Sequence, residues 1–214
     1  MTQLPHHGLG CYITLWCAIA ILTVACTSPL GSLGKQPGPV DVEDGGLLKH
    51  EGCELPCFWG IVPGATSLTE TVNIFERKNL SAYCSSNLDQ YSRLACDDIA
   101  IIVVNPENDR VSSVGVDPAN PITIGDVISL YGQPNAVLIT PDGVPEHPYT
   151  TMMVFFDNIR TRIILARQEG TVYKVNSSVS LDNISYYDAD SYKTDEQHAI
   201  DWNGYGEYQE TPIH

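Results

Sequence analysis

Apolar side chains recur at intervals of three and four residues in residues 67–76 and again in residues 123–132. The apolar positions are Leu68, Val72 and Phe75 in the first segment and Ile124, Val127, Ile128 and Tyr131 in the second. Such spacing places the apolar side chains on one stripe of a helix. The pattern therefore predicts two amphipathic helices.

The first residues of both segments predict where these helices begin. Ser67 is followed by Glu70, and Thr123 by Asp126, so each pair can form a capping box in which hydroxyl and acid both accept a backbone N–H. Gly132 is expected to end the second helix. The segments lie 56 residues apart, and seven of their ten paired positions are chemically similar, which favours an internal repeat. The alternative is a coincidence between two unrelated amphipathic helices.

Each predicted helix is followed by segments rich in β-branched and apolar residues. The predicted strands are 99–104 and 110–116 after the first helix, and 136–140, 151–156, 160–166, 171–175 and 179–187 after the second. Short turn segments between neighbouring strands favour antiparallel pairing. We predict an α+β domain over residues 50–187, with an antiparallel sheet and both helices on one of its faces. If the two segments are related, the domain contains a tandem helix–hairpin repeat over 63–118 and 121–187.

The N-terminal segment predicts export. Residues 1–25 contain no Asp, Glu, Lys or Arg, and residues 11–25 form a 15-residue apolar run. A membrane-spanning helix needs about 20 residues, so this run is short for a span and typical of the core of a signal peptide. We therefore predict that residues 1–25 are a signal peptide.

The leader ends in Leu22-Thr-Val-Ala-Cys26, which resembles the lipobox of bacterial lipoproteins. This resemblance implies cleavage before Cys26 and attachment of acyl chains to its sulfur. Each buried methylene contributes about 0.8 kcal/mol to membrane binding, so the chain would stay on the cell membrane and face outside the cytoplasm. The alternatives are plain secretion, an uncleaved anchor and a buried helix of a cytosolic protein.

Composition divides the rest of the chain and excludes one class of partner. Residues 26–49 are rich in Gly, Pro and Ser, which predicts a flexible tether, and residues 188–214 predict an acidic, aromatic tail. Hydrophobic residues make up 43% of the chain and charged residues 17%, which is an ordinary globular balance. Because 26 acidic residues stand against 11 Lys and Arg, we expect no nucleic-acid partner.

Four of the seven cysteines follow the leader and Cys26, namely Cys53, Cys57, Cys84 and Cys96. An even number in an exported chain predicts two disulfides, with three connectivities open. We favour Cys53–Cys57 and Cys84–Cys96, because both close short loops. The alternative at Cys53 and Cys57 is thiol–disulfide chemistry, although three residues rather than two separate them. No metal site is expected, since a zinc site needs closely paired ligands.

Residues 53–66 read Cys-Glu-Leu-Pro-Cys-Phe-Trp-Gly-Ile-Val-Pro-Gly-Ala-Thr, which resembles a motif of uncharacterised bacterial lipoproteins. Gly132-Gln-Pro134 and residues 202–208 resemble two later motifs of that family, so the likeness covers most of residues 50–208. The family implies no activity. A weaker likeness, carried by Gly64-Ala-Thr66 and Gly132-Gln-Pro134, is to small outer-membrane-assembly lipoproteins and to the β-lactamase-inhibitor-protein fold. It implies a scaffold or protein-binding role.

Aromatic residues form two candidate groups, Phe58 with Trp59, and Trp202 with Tyr205 and Tyr208. One interpretation is that the two groups pack together over the start of the first helix. The other is that they form a platform for a sugar or peptide.

Common catalytic and nucleotide-binding motifs do not occur in the sequence, and no cofactor is expected. We therefore predict a non-catalytic, structural or binding domain whose partner is an envelope protein or a glycan. The alternatives are an envelope enzyme that uses Cys53 and Cys57, and a carbohydrate-binding module that uses exposed Trp and Tyr.

Overall fold

The computed structural model describes residues 43–49, 53–85, 87–97, 99–144 and 147–209. The predicted signal peptide, Cys26, most of the predicted tether and the last five residues lie outside the described residues. Within the described residues, no helix is both long and apolar enough to cross a membrane.

Helices and strands follow one another in the order of an α+β domain. The α-helices are α1 (Leu68–Arg77), α2 (Ile124–Tyr131) and α3 (Ala189–Glu196). The strands are β1 (Arg93–Cys96), β2 (Ala100–Asn105), β3 (Arg110–Val116), β4 (Ala136–Val144), β5 (His147–Phe156), β6 (Thr161–Leu165), β7 (Gln168–Glu169), β8 (Val172–Val175), β9 (Leu181–Tyr187), β10 (Ile200–Asp201) and β11 (Gly206–Gln209).

Nine strands form one antiparallel sheet in the order β1-β2-β3-β9-β6-β5-β4-β10, with β7 paired to β5. A second sheet pairs β11 with β8, also antiparallel. The predicted α+β class and the antiparallel sheet are confirmed.

Helices α1 and α2 both begin at the predicted capping boxes. In α1, Glu70 N–H donates to Ser67 Oγ at 3.2 Å, and Ser67 N–H donates to Glu70 Oε2 at 2.8 Å. In α2, Asp126 N–H donates to Thr123 Oγ1 at 3.2 Å, and Thr123 N–H donates to Asp126 Oδ2 at 2.9 Å. These bonds satisfy backbone donors that a helix leaves unpaired in its first turn.

The segments that lead into the two helices pair with the sheet in the same way. Before α1, the carbonyl of Thr66 accepts from Val111 N–H at 2.9 Å. Before α2, the carbonyl of Ile122, which lies 56 residues further on, accepts from Leu181 N–H at 2.9 Å. We call residues 63–118 the first unit and residues 121–187 the second unit. The start of β3 in the first unit therefore corresponds to the start of β9 in the second.

This correspondence extends through three strands of each unit. Because Val111 corresponds to Leu181, Val114 corresponds to Ile184 and Val116 to Tyr186. Val114 pairs with Tyr186 and Val116 pairs with Ile184, so exchanging the two units maps each pair onto the other, with Gly115↔Ser185 between them. The register also shifts between Val103 and Val104 in β2 and between Ile164 and Leu165 in β6, at corresponding positions. Strands β1-β2-β3 therefore match β5-β6-β9. Each repeated unit is a helix followed by three paired strands rather than by a hairpin alone.

One large core cluster contains buried residues of both units. Ile74 and Phe75 of α1, Ile124 and Val127 of α2, and alternate residues of the central strands belong to it. A smaller cluster contains Ala136, Phe155, Tyr187 and Tyr192 of α3. Neighbouring residues of a strand point to opposite faces, so Phe155 points away from Val154 and Phe156, which belong to the large cluster. The placement of α1 and α2 on one face of the sheet stays a prediction.

Residues 43–49, which the sequence assigned to the tether, pack against the domain. Leu47 is fully buried, and Tyr186 Oη donates to the carbonyl of Gly45 at 2.9 Å. Asp44 Oδ1 accepts from Gly46 N–H at 2.9 Å and orders the turn. The tether assignment is wrong for these residues. It rested on their Gly-rich composition, but the buried Leu47 side chain holds them against the domain.

The C-terminal segment also contains regular structure that the tail assignment missed. Asp188 caps α3 by accepting from Ser191 N–H at 2.7 Å, and Tyr192 is buried against the sheet. Strands β10 and β11 follow. The tail assignment is wrong here because it rested on the acidic composition of the segment. Tyr192 is the only buried residue of α3, so this helix has no apolar stripe that the sequence would show.

Candidate functional site

An apolar groove of about 510 Å³ lies between α1 and residues 81–85, 87 and 88. Its apolar surface comes from Leu68, Val72, Phe75, Leu88 and Leu94. Phe75 and Leu94 are buried, whereas Val72 is 38% exposed. Val72 belongs to the apolar stripe predicted for α1, so its exposure shows that part of this stripe faces the groove rather than the core.

Disulfide Cys84–Cys96 joins the outer wall of the groove to β1. Cys84 and Cys96 form an antiparallel bridge, and two backbone bonds flank it. Ser85 N–H donates to the carbonyl of Ala95, and Asp97 N–H donates to the carbonyl of Tyr83, both at 2.8 Å. A covalent bond and three residues of strand-like pairing therefore fix this wall.

The other predicted cysteine pair, Cys53–Cys57, is also within disulfide distance. It precedes a tight turn in which Phe58 N–H donates to the carbonyl of Ile61 at 3.0 Å, and α1 begins only at Leu68. A redox site of the thioredoxin type places its first thiol at a helix N-terminus, which lowers the pKa of that thiol. The geometry around Cys53 lacks this feature.

The first aromatic group is held within the turn that follows Cys57. Phe58 is buried, and its ring stacks on that of Trp59 with centroids 4.4 Å apart. Lys78 Nζ lies 4.7 Å from the centroid of the Trp59 ring, within the range of a cation–π contact. The half-buried Trp59 therefore has a stacking partner and a cationic partner.

The second aromatic group is organised around Trp202. Its ring stacks on Tyr208 at 5.8 Å and meets the edge of Tyr205 at 6.0 Å, and its Nε1 donates to Gln133 Oε1 at 2.7 Å. Tyr208 is buried, whereas Tyr205 is 46% exposed. Pairing of β11 with β8 places Tyr208 opposite Tyr173.

The two aromatic groups therefore have separate partners. Within the described residues, no ring contact joins Phe58 or Trp59 to the Trp202 group. Strand pairing with β8 holds the C-terminal aromatics, and their packing over the start of the first helix stays a prediction.

A polar cluster that the sequence analysis missed lies beneath α3. Arg162 Nη1 lies 2.5 Å from Asp195 Oδ2, and the side chain of Arg162 is 19% exposed. Tyr187 Oη donates to the same Asp195 oxygen at 3.0 Å, and Arg162 Nη2 donates to Ser185 Oγ at 3.4 Å. A single Arg within the apolar strand Thr161–Leu165 was the available signal, since a buried charge requires a partner.

Two carboxyl groups and a tyrosine continue this cluster. Tyr192 Oη donates to Asp157 Oδ1 at 3.0 Å. Partial burial, followed by the negative charge of Asp157 and a hydrogen bond to it, raises the pKa of Glu196. Burial is also the main cause that raises the pKa of the Tyr187 hydroxyl. These groups hold α3 on the sheet.

The described residues contain no group of three or more His, Cys, Asp or Glu that could hold a metal ion. Comparisons with protein-family models, with curated proteins and with solved structures found no match to this chain. The resemblance carried by residues 53–66 stays a prediction.

Proposed function

We propose that this chain is an exported protein held on a membrane by acyl chains on Cys26, and that its domain is a non-catalytic binding module. The observation that carries the proposal is the pairing of all four cysteines that follow Cys26. Disulfides form and persist outside the cytoplasm, which agrees with the leader that ends before Cys26.

The candidate groups of the domain support binding rather than catalysis. Cys53 and Cys57 are joined to each other, and the carboxylate of Asp195 is engaged by Arg162 and Tyr187. The groove beside α1, by contrast, is an open concave surface with apolar walls. Small-molecule sites are typically clefts of this kind, with a volume of about 300–1,000 Å³.

Intact mass and fractionation of the full chain test the anchor. The wild type is expected in the membrane fraction and cleaved before Cys26. Its mass should exceed that of the unmodified cleaved polypeptide by the mass of its acyl groups. Cys26→Ser is expected to lose the acyl mass, whereas Cys17→Ser, a matched change within the leader, is expected to leave it unchanged. An unprocessed N-terminus with an unmodified Cys26 sulfur would contradict the proposal.

A thiol count on the same exported protein tests the compartment. With both disulfides formed, Cys53, Cys57, Cys84 and Cys96 should not react with a thiol reagent before reduction and should contribute four thiols after it. Reaction at Cys53 and Cys57 without reduction would favour thiol–disulfide chemistry instead.

A further inference from the structure

The groove beside α1 has an uncharged lining on a strongly acidic protein. The chain carries a formal charge of −15, yet each described residue that lines this groove is uncharged. A charged ligand would lose hydration on entry and find no opposite charge in the lining to replace it. The lining therefore favours a neutral ligand over an anion or a cation.

Polar groups of the groove are concentrated on one wall. Ser81, Ser85 and Asn87 lie on the segment that faces α1, whereas the helix side contributes Leu68, Val72 and Phe75. Ligand sites commonly combine apolar walls with a few polar groups that fix orientation. A ligand that fits this arrangement is apolar along its length and carries a hydrogen-bonding group on one side.

The groove belongs to one of the two repeated units. In the first unit, the chain between α1 and β1 forms its outer wall, which the Cys84–Cys96 disulfide fixes. In the second unit, Tyr131 occupies the helix position that corresponds to Phe75, and its hydroxyl donates to the carbonyl of Leu47. The N-terminal segment thus contacts α2 at Tyr131, whereas Val72 of α1 is 38% exposed within the described residues.

We propose that the groove formed by α1, Leu94 and residues 81–85, 87 and 88 binds a small, neutral, apolar molecule. The proposal deepens the binding role proposed above and rests on it. Ser81 and Ser85 place hydroxyl oxygens on one wall, where Ser85 Oγ donates to the carbonyl of Asn87 at 3.0 Å and can still accept, and the Cys84–Cys96 disulfide keeps the groove open before the ligand arrives. A preformed site avoids the cost of ordering this segment on binding.

Two dyes with one ring skeleton test the charge preference. The full chain in phosphatidylcholine nanodiscs is titrated with neutral N-phenyl-1-naphthylamine, with empty discs as the blank. A saturable, one-to-one rise in fluorescence is expected. The sulfonated analogue 8-anilino-1-naphthalenesulfonate should bind about tenfold more weakly or worse, because its charge finds no cation in the lining.

Two matched variants locate the site. Val72→Glu places a charge in the groove at a position that is 38% exposed, so the helix can tolerate it. Leu130→Glu also replaces an exposed apolar side chain by Glu, but on α2, at a position that is 52% exposed. Val72→Glu should weaken binding of the neutral dye about tenfold or more, and Leu130→Glu should leave it within about twofold of the wild type.

Three outcomes would overturn the proposal. They are no saturable binding of the neutral dye, equal binding of both dyes, or equal effects of the two Glu variants. Self-association that Val72→Glu alone abolishes would instead assign the groove to a protein contact and overturn it as well. Acylation of Cys26 is measured separately by intact mass, so an unacylated chain that binds the dye would contradict the anchor and leave the groove standing.

Discussion

Arg162 is the residue on which the attachment of α3 depends most directly. Its guanidinium reaches Asp195 of the helix and lies 5.3 Å from the centroid of the Tyr187 ring. Its Nε atom is buried without a hydrogen-bond partner. Because part of its hydrogen-bonding capacity is already unused, loss of the Asp195 charge would leave a largely buried guanidinium with its contacts to Ser185 and the Tyr187 ring.

Asp195→Asn is therefore expected to lower the free energy of unfolding by about 1–3 kcal/mol, the usual cost of leaving a buried hydrogen-bonding group without its partner. Urea denaturation at pH 7 measures it. Glu207→Gln is the control, because the Lys174–Glu207 pair is 69% and 64% exposed and such pairs contribute about 0–1 kcal/mol. Equal losses in both variants would contradict the role given to Arg162.

At the scale of the element, the capping boxes explain why α1 and α2 begin where they do. Each capping box lies within four consecutive residues, so the spacing of its two capping side chains is enough to predict it. The carboxylates of Glu70 and Asp126 accept backbone N–H groups of the capping residues, and these bonds lower the pKa of both carboxyls. The start of each helix should therefore respond to acid.

Glu70→Gln tests this response. The folded pKa of Glu70 lies below its ordinary value of 4.5, so its contribution to stability is present above pH 4.5 and disappears as the pH falls through the folded value. The variant should be less stable than the wild type at pH 7, and the difference should shrink as the pH is lowered. Thermal unfolding from pH 7 to pH 3 measures it. Glu76→Gln, later on the same helix and outside the capping box, is the control variant.

Elements that depend on distant partners were harder to predict. The sequence indicates α1 and α2 through their apolar stripes, but β1 is only four residues long, and its pattern is completed by pairing with β2. Helix α3 buries Tyr192 alone, so it has no stripe to detect. The groove was missed for the same reason, since Leu88 and Leu94 join Val72 only after the chain folds back along β1.

At the scale of the whole molecule, β3 and β9 pair with each other where the two units meet. The helix spacing of 56 residues indicated a repeat, but the strands reveal its full extent through their register. Different loop lengths in the two units shift the strand positions along the sequence, which hides this relation from a comparison at one fixed offset. The two units share one core cluster, so we expect them to unfold together.

Ile184→Ala tests whether the two units unfold as one. Ile184 is fully buried, pairs with Val116 of the first unit and packs closely against Gly45. Removing its side chain at this junction should cost about 2–5 kcal/mol. Because the loss falls on the shared core, amide hydrogens of α1 and α2 that exchange by global unfolding should lose protection equally in hydrogen-exchange mass spectrometry. Ile101→Ala, at a position that is 49% exposed, should change stability by less than about 1 kcal/mol. Loss of protection in α2 with full protection retained in α1 would instead show that the first unit is stable without the second.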